Sequence, residues 1–588
     1  MSPETRICQN CKQNFTIWGE DFGFYEKMKV PAPTFCPDCR RQRRFAWRNE
    51  RTLYKRKCDL CKKDIIGLYP QGTKFPVYCH DCWFSDNWDP FQYGADYDFS
   101  KPFFKQFKQL GEKVPRLGIW IQQCTNSEYT NQSYSNKNVY LSFALRDTED
   151  SAYCCRAVQL KHCFDDTYTH HSEFLYSCVD TDKSYRSRFL EEAEGCVESG
   201  FLSNARNCQN CIGGVNLRAK SNMFFGEQLS KEGYQEKLKT YDLGSRKTQN
   251  ELLEKLRALK EKSIFRFANL INTANSTGDH LSHVRNCRYV FDGFELENAR
   301  YSSWVFSDKE VSDCYGMGGS EFIYEAIGVE EVNNMRFCSV CNGSSYVEYG
   351  DLCSASQNLF GCVGLRNKEY CILNKKYSKE SFDELRKKII EQMKAMPYKD
   401  QKGRAYGYGE FFPAELSPFA YNETIAQEAY PLSKTEIESQ GYLWRAPEER
   451  NYAVTLSSDD VPGRIQDVND TIVNETISCA HKGECNDQCS KAFRIALQEL
   501  QFYKLMRIPL PVLCSNCRHY ERLRQRNPVK LWHRKCQCAG AKSENGVYTN
   551  TVQHQHDGEH CANEFETSYA PERKEIVYCE RCYQAEVV

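Results

Sequence analysis

The chain lacks any run of roughly 18 apolar residues, the length a helix needs to cross a bilayer, and it shows no lipidation signature. It also lacks an apolar leader, since it opens MSPETRICQNCK. Thirty-three cysteines without a leader argue against secretion and therefore against a disulfide framework. The expectation is a soluble, cytoplasmic protein. Net charge is nearly absent, with 78 Lys and Arg against 79 Asp and Glu for a total of −1, so any binding of a polyanion has to rest on local charge. What is present is a chain of 588 residues, 40% hydrophobic and 13% aromatic, long enough for about three to five domains.

Two duplications organise it. Cys11, Phe15, Ile17, Tyr25, Met28, Pro31, Pro33, Cys36, Cys39 and Arg40 reappear 478 positions later as Cys489, Phe493, Ile495, Tyr503, Met506, Pro509, Pro511, Cys514, Cys517 and Arg518. The register runs on through Arg44, Arg48, Arg56 and Cys58, which meet Arg522, Arg526, Arg534 and Cys536. Inside these ends, Leu217-Arg218, Lys220 and Ser230-Lys231-Glu232 meet Leu365-Arg366, Lys368 and Ser378-Lys379-Glu380 at an offset of 148, as Ser172-Glu173-Phe174 meets Ser320-Glu321-Phe322. Within each inner copy, short aromatic and β-branched runs recur about every 11 to 13 positions between Asn, Asp, Ser, Gly or Cys, a spacing that suits a β-solenoid. Each copy closes on a helical pattern, with Leu252, Leu253, Leu256 and Leu259 forming an apolar stripe in the first.

Cys8, Cys11, Cys36 and Cys39 form two C-x2-C knuckles separated by 24 residues, and Cys58, Cys61, Cys79 and Cys82 repeat them with a gap of 17. Four thiolates at this spacing suit one tetrahedral zinc per quartet and leave no open position for chemistry. At the other end Cys489, Cys514 and Cys517 keep the register, with Cys485 or Cys479 as the fourth ligand. Cys561, Cys579 and Cys582 follow Cys61, Cys79 and Cys82 by 500 positions, with Cys536 or Cys538 completing the set across a 22-residue insertion. About four zinc ions per chain are expected. His554, His556 and His560, at the end of that insertion, read as a polar surface loop, since H-x-H plus one more His lacks a fixed partner.

The pattern C-x2-C-x3-F, then Phe24-Tyr25, Pro33 and Cys36-x2-Cys39-Arg40, resembles the bacterial "probable zinc-ribbon" family over about 40 residues at each end. That resemblance implies a treble-clef-like order of knuckle, hairpin, then a second C-x2-C opening a helix. As a whole the chain resembles multi-cysteine proteins of reduced-genome bacterial lineages, some of which carry a CaiB/BaiF CoA-transferase label. Such a transferase implies a long α/β chain with a catalytic Asp, which paired knuckles around a repeat do not match.

The expected architecture is multi-domain and β-rich. Zinc modules span 1–56 and 57–117, and a duplicated β-solenoid with capping helices spans 118–262 and 263–396. An irregular connector covers 397–477, and zinc modules follow over 478–535 and 536–588. Behind Cys39 the segment Arg40 to Lys57 holds nine Lys or Arg against one acid, and Arg518 to Lys535 holds seven against one. Arg40, Arg44 and Arg48 share one helix face, and Arg518, Arg522 and Arg526 reproduce it. With Trp47 or Trp532 nearby for stacking, these faces suggest phosphate-backbone contacts, with RNA favoured. The same charge would also suit pairing with solenoid acids such as Glu191-Glu192 and Glu194, in a protein assembly scaffold. A carbohydrate-active β-helix enzyme, with paired carboxylates roughly 5 to 10 Å apart, is a third class. Cys154-Cys155, Cys163, Cys178, Cys196, Cys208, Cys211, Cys314, Cys338, Cys341, Cys353, Cys362 and Cys371 read as rung residues, the small cysteines stacked along the core, together with Asp165-Asp166 and His170-His171; an additional zinc site from Cys208-x2-Cys211 or Cys338-x2-Cys341 is the alternative.

Overall fold

The protein is seen in a computed structural model that describes residues 2–318, 323–330, 334–448, 452–556 and 558–588. Ser320-Glu321-Phe322, invoked for the inner duplication, lie outside the described residues.

The solenoid follows from one local rule. From Gln132 to Phe225 every third residue has a positive φ, as at Gln132, Ser135, Asn138, Leu141 and Ala144, and the rule returns from His280 to Asp313 and from Asn334 to Leu373. Many of these left-handed positions hold Asn, Asp or Gly, the residues that tolerate that conformation. Each one redirects the chain, and four steps of three residues close a turn. Parallel strand registers accordingly advance by 12, with Phe143 beside Cys155, Cys155 beside Thr167 and Thr167 beside Val179. The 11-to-13 spacing of the sequence thus resolves to 12, made of four threes.

The residue after each left-handed one faces the core. Val139, Leu145, Cys154, Ala157, Leu160, Cys163, Leu175, Cys178, Leu190, Cys196, Leu202, Cys208 and Cys211 fill the first copy, as Val305, Cys314, Cys338, Cys341, Val347, Cys353, Leu359, Cys362 and Cys371 fill the second. A turn this narrow has room for small side chains, so Cys, Ser, Thr, Ala and Val share the interior with Leu. Inward Ser residues stay satisfied by stacking: Ser142, Ser151, Ser184 and Ser199 each accept from the amide 12 residues on, at 3.0–3.1 Å. The C-x2-C of Cys208 and Cys211, and of Cys338 and Cys341, is the three-residue step of the solenoid itself. Asp166 occupies an inward place too; burial pushes its carboxyl up to about 8, and it accepts from the Cys178 amide at 2.7 Å.

The expected helices are present. Lys231–Lys239 and Arg246–Lys260 close the first copy, the latter through Leu252 and Leu256 packed near Phe201, Ile212 and Phe224. Lys379–Ala395 closes the second through Phe382, Ile389 and Met393. The connector is short 3-10 turns, the hairpin of Tyr398–Lys399 with Ala405–Tyr406, and the helices Ile425–Ala429 and Lys434–Ser439. Its Tyr406, Phe411 and Phe412 belong to the core that joins the N-terminal modules to the second copy.

The two copies lie side by side and run in opposite directions. Arg156 of the first reaches the Tyr315 hydroxyl of the second at 2.8 Å, while further along the first copy Asp180 and Glu192 face His280, earlier in the second, at 3.5 and 3.8 Å. Against the burial that would lower it, Asp180 and Asp279 hold the His280 imidazole up at about 9, with Arg526 opposing and Glu192 assisting. Burial pushes the Glu192 carboxyl up to about 7. His280 in the folded state therefore binds its proton more tightly than the ordinary value of 6.5 allows. Its contribution to stability is whole below pH 6.5 and is lost as pH rises through about 9. The wild type should lose more of its thermal midpoint between these pH values than His280→Gln does, as read by calorimetry in parallel buffers.

Candidate metal centres

Each zinc-type module begins with a knuckle on a strand and ends with a cysteine that caps a helix. Cys8 follows the strand Glu4–Ile7, and Cys36 precedes Pro37–Phe45, so that Cys39 sits in the first helical turn. The second module places Cys58 after Tyr54–Lys57 and Cys79 before His80–Phe84. The thiols are free, and those of each quartet converge. Sγ separations are 3.7 Å for Cys11 and Cys36, 3.8 Å for Cys61 and Cys79, and 3.8 Å for Cys561 and Cys579. A metal at about 2.3 Å from four sulfurs in tetrahedral geometry sets sulfur–sulfur edges of about 3.8 Å. The quartets therefore fit a tetrahedral ion and are compatible with zinc. In the second, burial works against deprotonation, yet the amides of Cys79, Cys61 and Leu60 bring the Cys58 thiol down to about 7.

The C-terminal alternatives are resolved by matching hydrogen bonds. The Cys36 amide donates to Cys8 Sγ at 3.3 Å, and the Cys514 amide donates to Cys479 Sγ at 3.3 Å. Cys479 thus takes the place of Cys8 and groups with Cys489, Cys514 and Cys517. Cys485 stays at the edge of that site, its Sγ 3.7 Å from that of Cys517. A legible signal existed, because the Thr5-Arg6-Ile7 run before Cys8 has a counterpart in Thr476-Ile477-Ser478 before Cys479. Likewise Cys58 accepts from the Cys79 amide at 3.3 Å and Cys536 from the Cys579 amide at 3.2 Å, so Cys536 completes the last quartet. Cys538 belongs to a fifth group with His554, His556 and Cys582. The histidine segment is thus not simply a polar surface loop: His554 is buried, and only His560 is exposed as expected.

The arginine faces are not at the surface. Arg40 and Arg44 are 1% exposed, Arg48 5%, Arg518 6% and Arg522 2%, and the Arg526 side chain 9%. Arg40 donates to both oxygens of Asp313 at 2.9 Å, and Arg44 to the same carboxylate at 2.8 Å. In the other copy Arg518 pairs with Asp165 at 2.9 Å and Arg522 donates to it at 2.8 Å. Asp165 and Asp313 are 148 positions apart, the offset of the inner duplication, so both repeats have kept one acid for two arginines. Arg40 also reaches the Phe35 carbonyl as Arg518 reaches that of Leu513, and Arg44 reaches that of Tyr301 as Arg522 reaches that of Tyr153. Arg48 pairs with Glu50 and lies over Gly328, where a Cβ would stand 2.1 Å from its Nη1. Arg526 bridges Asp180 and Asp292 at 2.8 and 2.5 Å.

The expectation that these six arginines contact phosphates is therefore corrected, because each is already held by carboxylates inside the protein. The acids suggested for that role are elsewhere: Glu191 holds Lys260, and Glu194 pairs with Arg206. Trp47 is buried against Phe411 and Phe412 rather than offered for stacking. The docking is crossed. The first N-terminal module packs on the second solenoid copy, with Tyr25 against Tyr324, and the third module packs on the first copy, with Phe502 against Phe164.

No family model matches the chain, and no curated protein matches it. Seven solved chains match. One, described as an acetyltransferase from Desulfovibrio desulfuricans G20, is 11% identical at a TM-score of 0.11, with 49% of this chain and 86% of that one covered. A likeness at that score carries nothing about the chemistry here.

Two measurements follow from this geometry. Cys479→Ser should remove one equivalent of bound metal, whereas Cys485→Ser should keep it, by elemental analysis of the purified chain. Asp313→Ala removes the acid of the buried Arg40 and leaves Arg44 only its 3.5 Å contact with Glu325, and should cost about 3–5 kcal/mol at the module–solenoid contact. That loss should appear as a lower midpoint in denaturant, with Asp165→Ala giving the same at the other end.

Proposed function

We propose that the chain is a non-enzymatic assembly scaffold, stapled by structural zinc, whose partner is a protein docking along the solenoid. One observation carries this reading. The basic faces that suggested RNA are turned inward, with Arg40 and Arg44 fixed to Asp313 of the second solenoid copy and Arg518 and Arg522 to Asp165 of the first. Zinc is the fitting ion because four thiolates in a closed tetrahedron suit a structural site. The quartets supply all four ligands and so support a structural rather than a catalytic role.

What the solenoid presents outward is a regular comb of polar side chains 12 residues apart. Asn126, Asn138 and Asp150 are joined in one ladder, and exposed Lys137, Glu149 and Lys161 stand in another. Such repeated, rigid ladders favour an extended partner that makes many similar polar contacts.

A tagged full-length chain, purified with and without nuclease, tests the reading. The expected result is a protein that stays bound after nuclease and is lost when Lys137 and Lys161 are changed to Glu. RNA as the retained species, removed by nuclease with nothing left, would overturn it. Arg40→Glu with Arg44→Glu should lower the thermal midpoint of the whole chain, since it places acids against Asp313.

A further inference from the structure

Relative to its N-terminal counterpart, the last module carries 22 extra residues between Cys536 and Cys561, where Cys58 and Cys61 are separated by two. The insertion folds back on itself. Lys542 bridges to Thr549, Cys538 bridges to Ser543, and the Cys561 amide donates to the Cys538 carbonyl at 2.9 Å. This returns Cys538, His554 and His556 to the side of the Cys quartet on which Cys582 lies.

Cys582 belongs to two ligand sets at once. One is Cys536, Cys561, Cys579 and Cys582; the other is Cys538, His554, His556 and Cys582. In each, the four donor atoms all lie within 4.8 Å of one another. In the second set, Cys538 Sγ is 3.3 Å from His554 Nδ1 and 3.4 Å from His556 Nε2, and Cys582 Sγ is 3.6 Å from His556 Nε2. A tetrahedral zinc with sulfur at about 2.3 Å and nitrogen at about 2.0 Å has sulfur–nitrogen edges of about 3.5 Å. The spacing fits.

The surroundings orient these donors as a metal site requires. His554 uses Nδ1 toward the site and its Nε2 faces Glu586 Oε1 at 2.8 Å, with both side chains almost wholly buried. A carboxylate behind a ligating histidine fixes its tautomer and strengthens it as a ligand. Glu586 is itself anchored by the Thr551 amide at 2.9 Å and by the Tyr548 hydroxyl at 3.0 Å. The Asn550 amide group donates to Cys538 Sγ at 3.2 Å and that of Asn563 to Cys579 Sγ at 3.3 Å, which disperses thiolate charge.

We propose that the last module holds a dinuclear zinc centre in which the Cys582 thiolate bridges the two ions. Seven side chains then satisfy two tetrahedra, and each coordinating thiol gives its proton to solvent. The formal charge also favours sharing. Two zinc ions at +4 with five thiolates at −5 leave −1, whereas one all-thiolate quartet alone carries +2 − 4 = −2. The inserted loop is what converts a single-ion knuckle into a pair.

X-ray absorption on the zinc-loaded full-length chain tests this directly. A zinc–zinc distance of roughly 3.5 Å, the separation usual for two-metal sites, is expected in the unaltered protein. His556→Ala should lose both that feature and one zinc equivalent, and His556→Cys, which restores a ligand, should recover both. Unaltered protein with no metal–metal feature would overturn the bridge, whether or not any variant folds. So would a His556→Ala chain that keeps its full zinc content.

Discussion

The architecture depends on one carboxylate held between two guanidinium groups in the buried contact between a cysteine-anchored helix and a solenoid. Removing three ions from water is costly, and the cost is met only where the geometry is close and the remaining donors are satisfied. Here Arg40 grips Asp313 with two parallel bonds, and its third nitrogen finds the Phe35 carbonyl. The cysteine cluster and the charges act in series. The cysteines fix the first turn of the helix, the helix fixes the arginines one turn apart, and the arginines fix where the module sits on the solenoid.

The crossed docking makes the two duplications complementary, each module meeting one solenoid copy. A module alone has a basic face with nothing to meet, and a solenoid copy alone has a buried-grade aspartate at a left-handed corner. The pairs Tyr25 with Tyr324 and Tyr503 with Tyr176 show the same apolar contact beside the same ion cluster at both ends. The clusters differ in detail. Arg43 adds Glu325 and Glu410 on one side, whereas Glu428 gathers Arg156 and His519 on the other. There burial drives the His519 imidazole down to about 3, which keeps it neutral beside Glu428.

Much of this was readable from residues alone, where the signal is local. The N-terminal quartets follow from C-x2-C spacing, the solenoid from recurring short runs, and the closing helices from the stripe containing Leu252 and Leu256. The destination of the arginines was not readable, because a basic run states its charge and not the acid that answers it 273 residues away. Cys479 was obscured by an insertion that places Cys485 nearer in sequence to the register position. His554 and His556 were obscured because their partner, Cys538, comes from the far end of a folded-back loop, and Glu586 from the final helix.

The crossed arrangement also sets an order for birth on the ribosome. Arg40 emerges long before Asp313, so the first module waits without its mate while the whole first solenoid copy and part of the second are synthesised. Asp165, conversely, stands exposed until Arg522 appears 357 residues later. At about 5–20 residues per second these intervals last for many seconds, with a basic helix and an acidic solenoid face each free to find a wrong partner. Early cysteine coordination would then serve as a timing device, keeping the nascent helix in the shape its late-arriving mate requires.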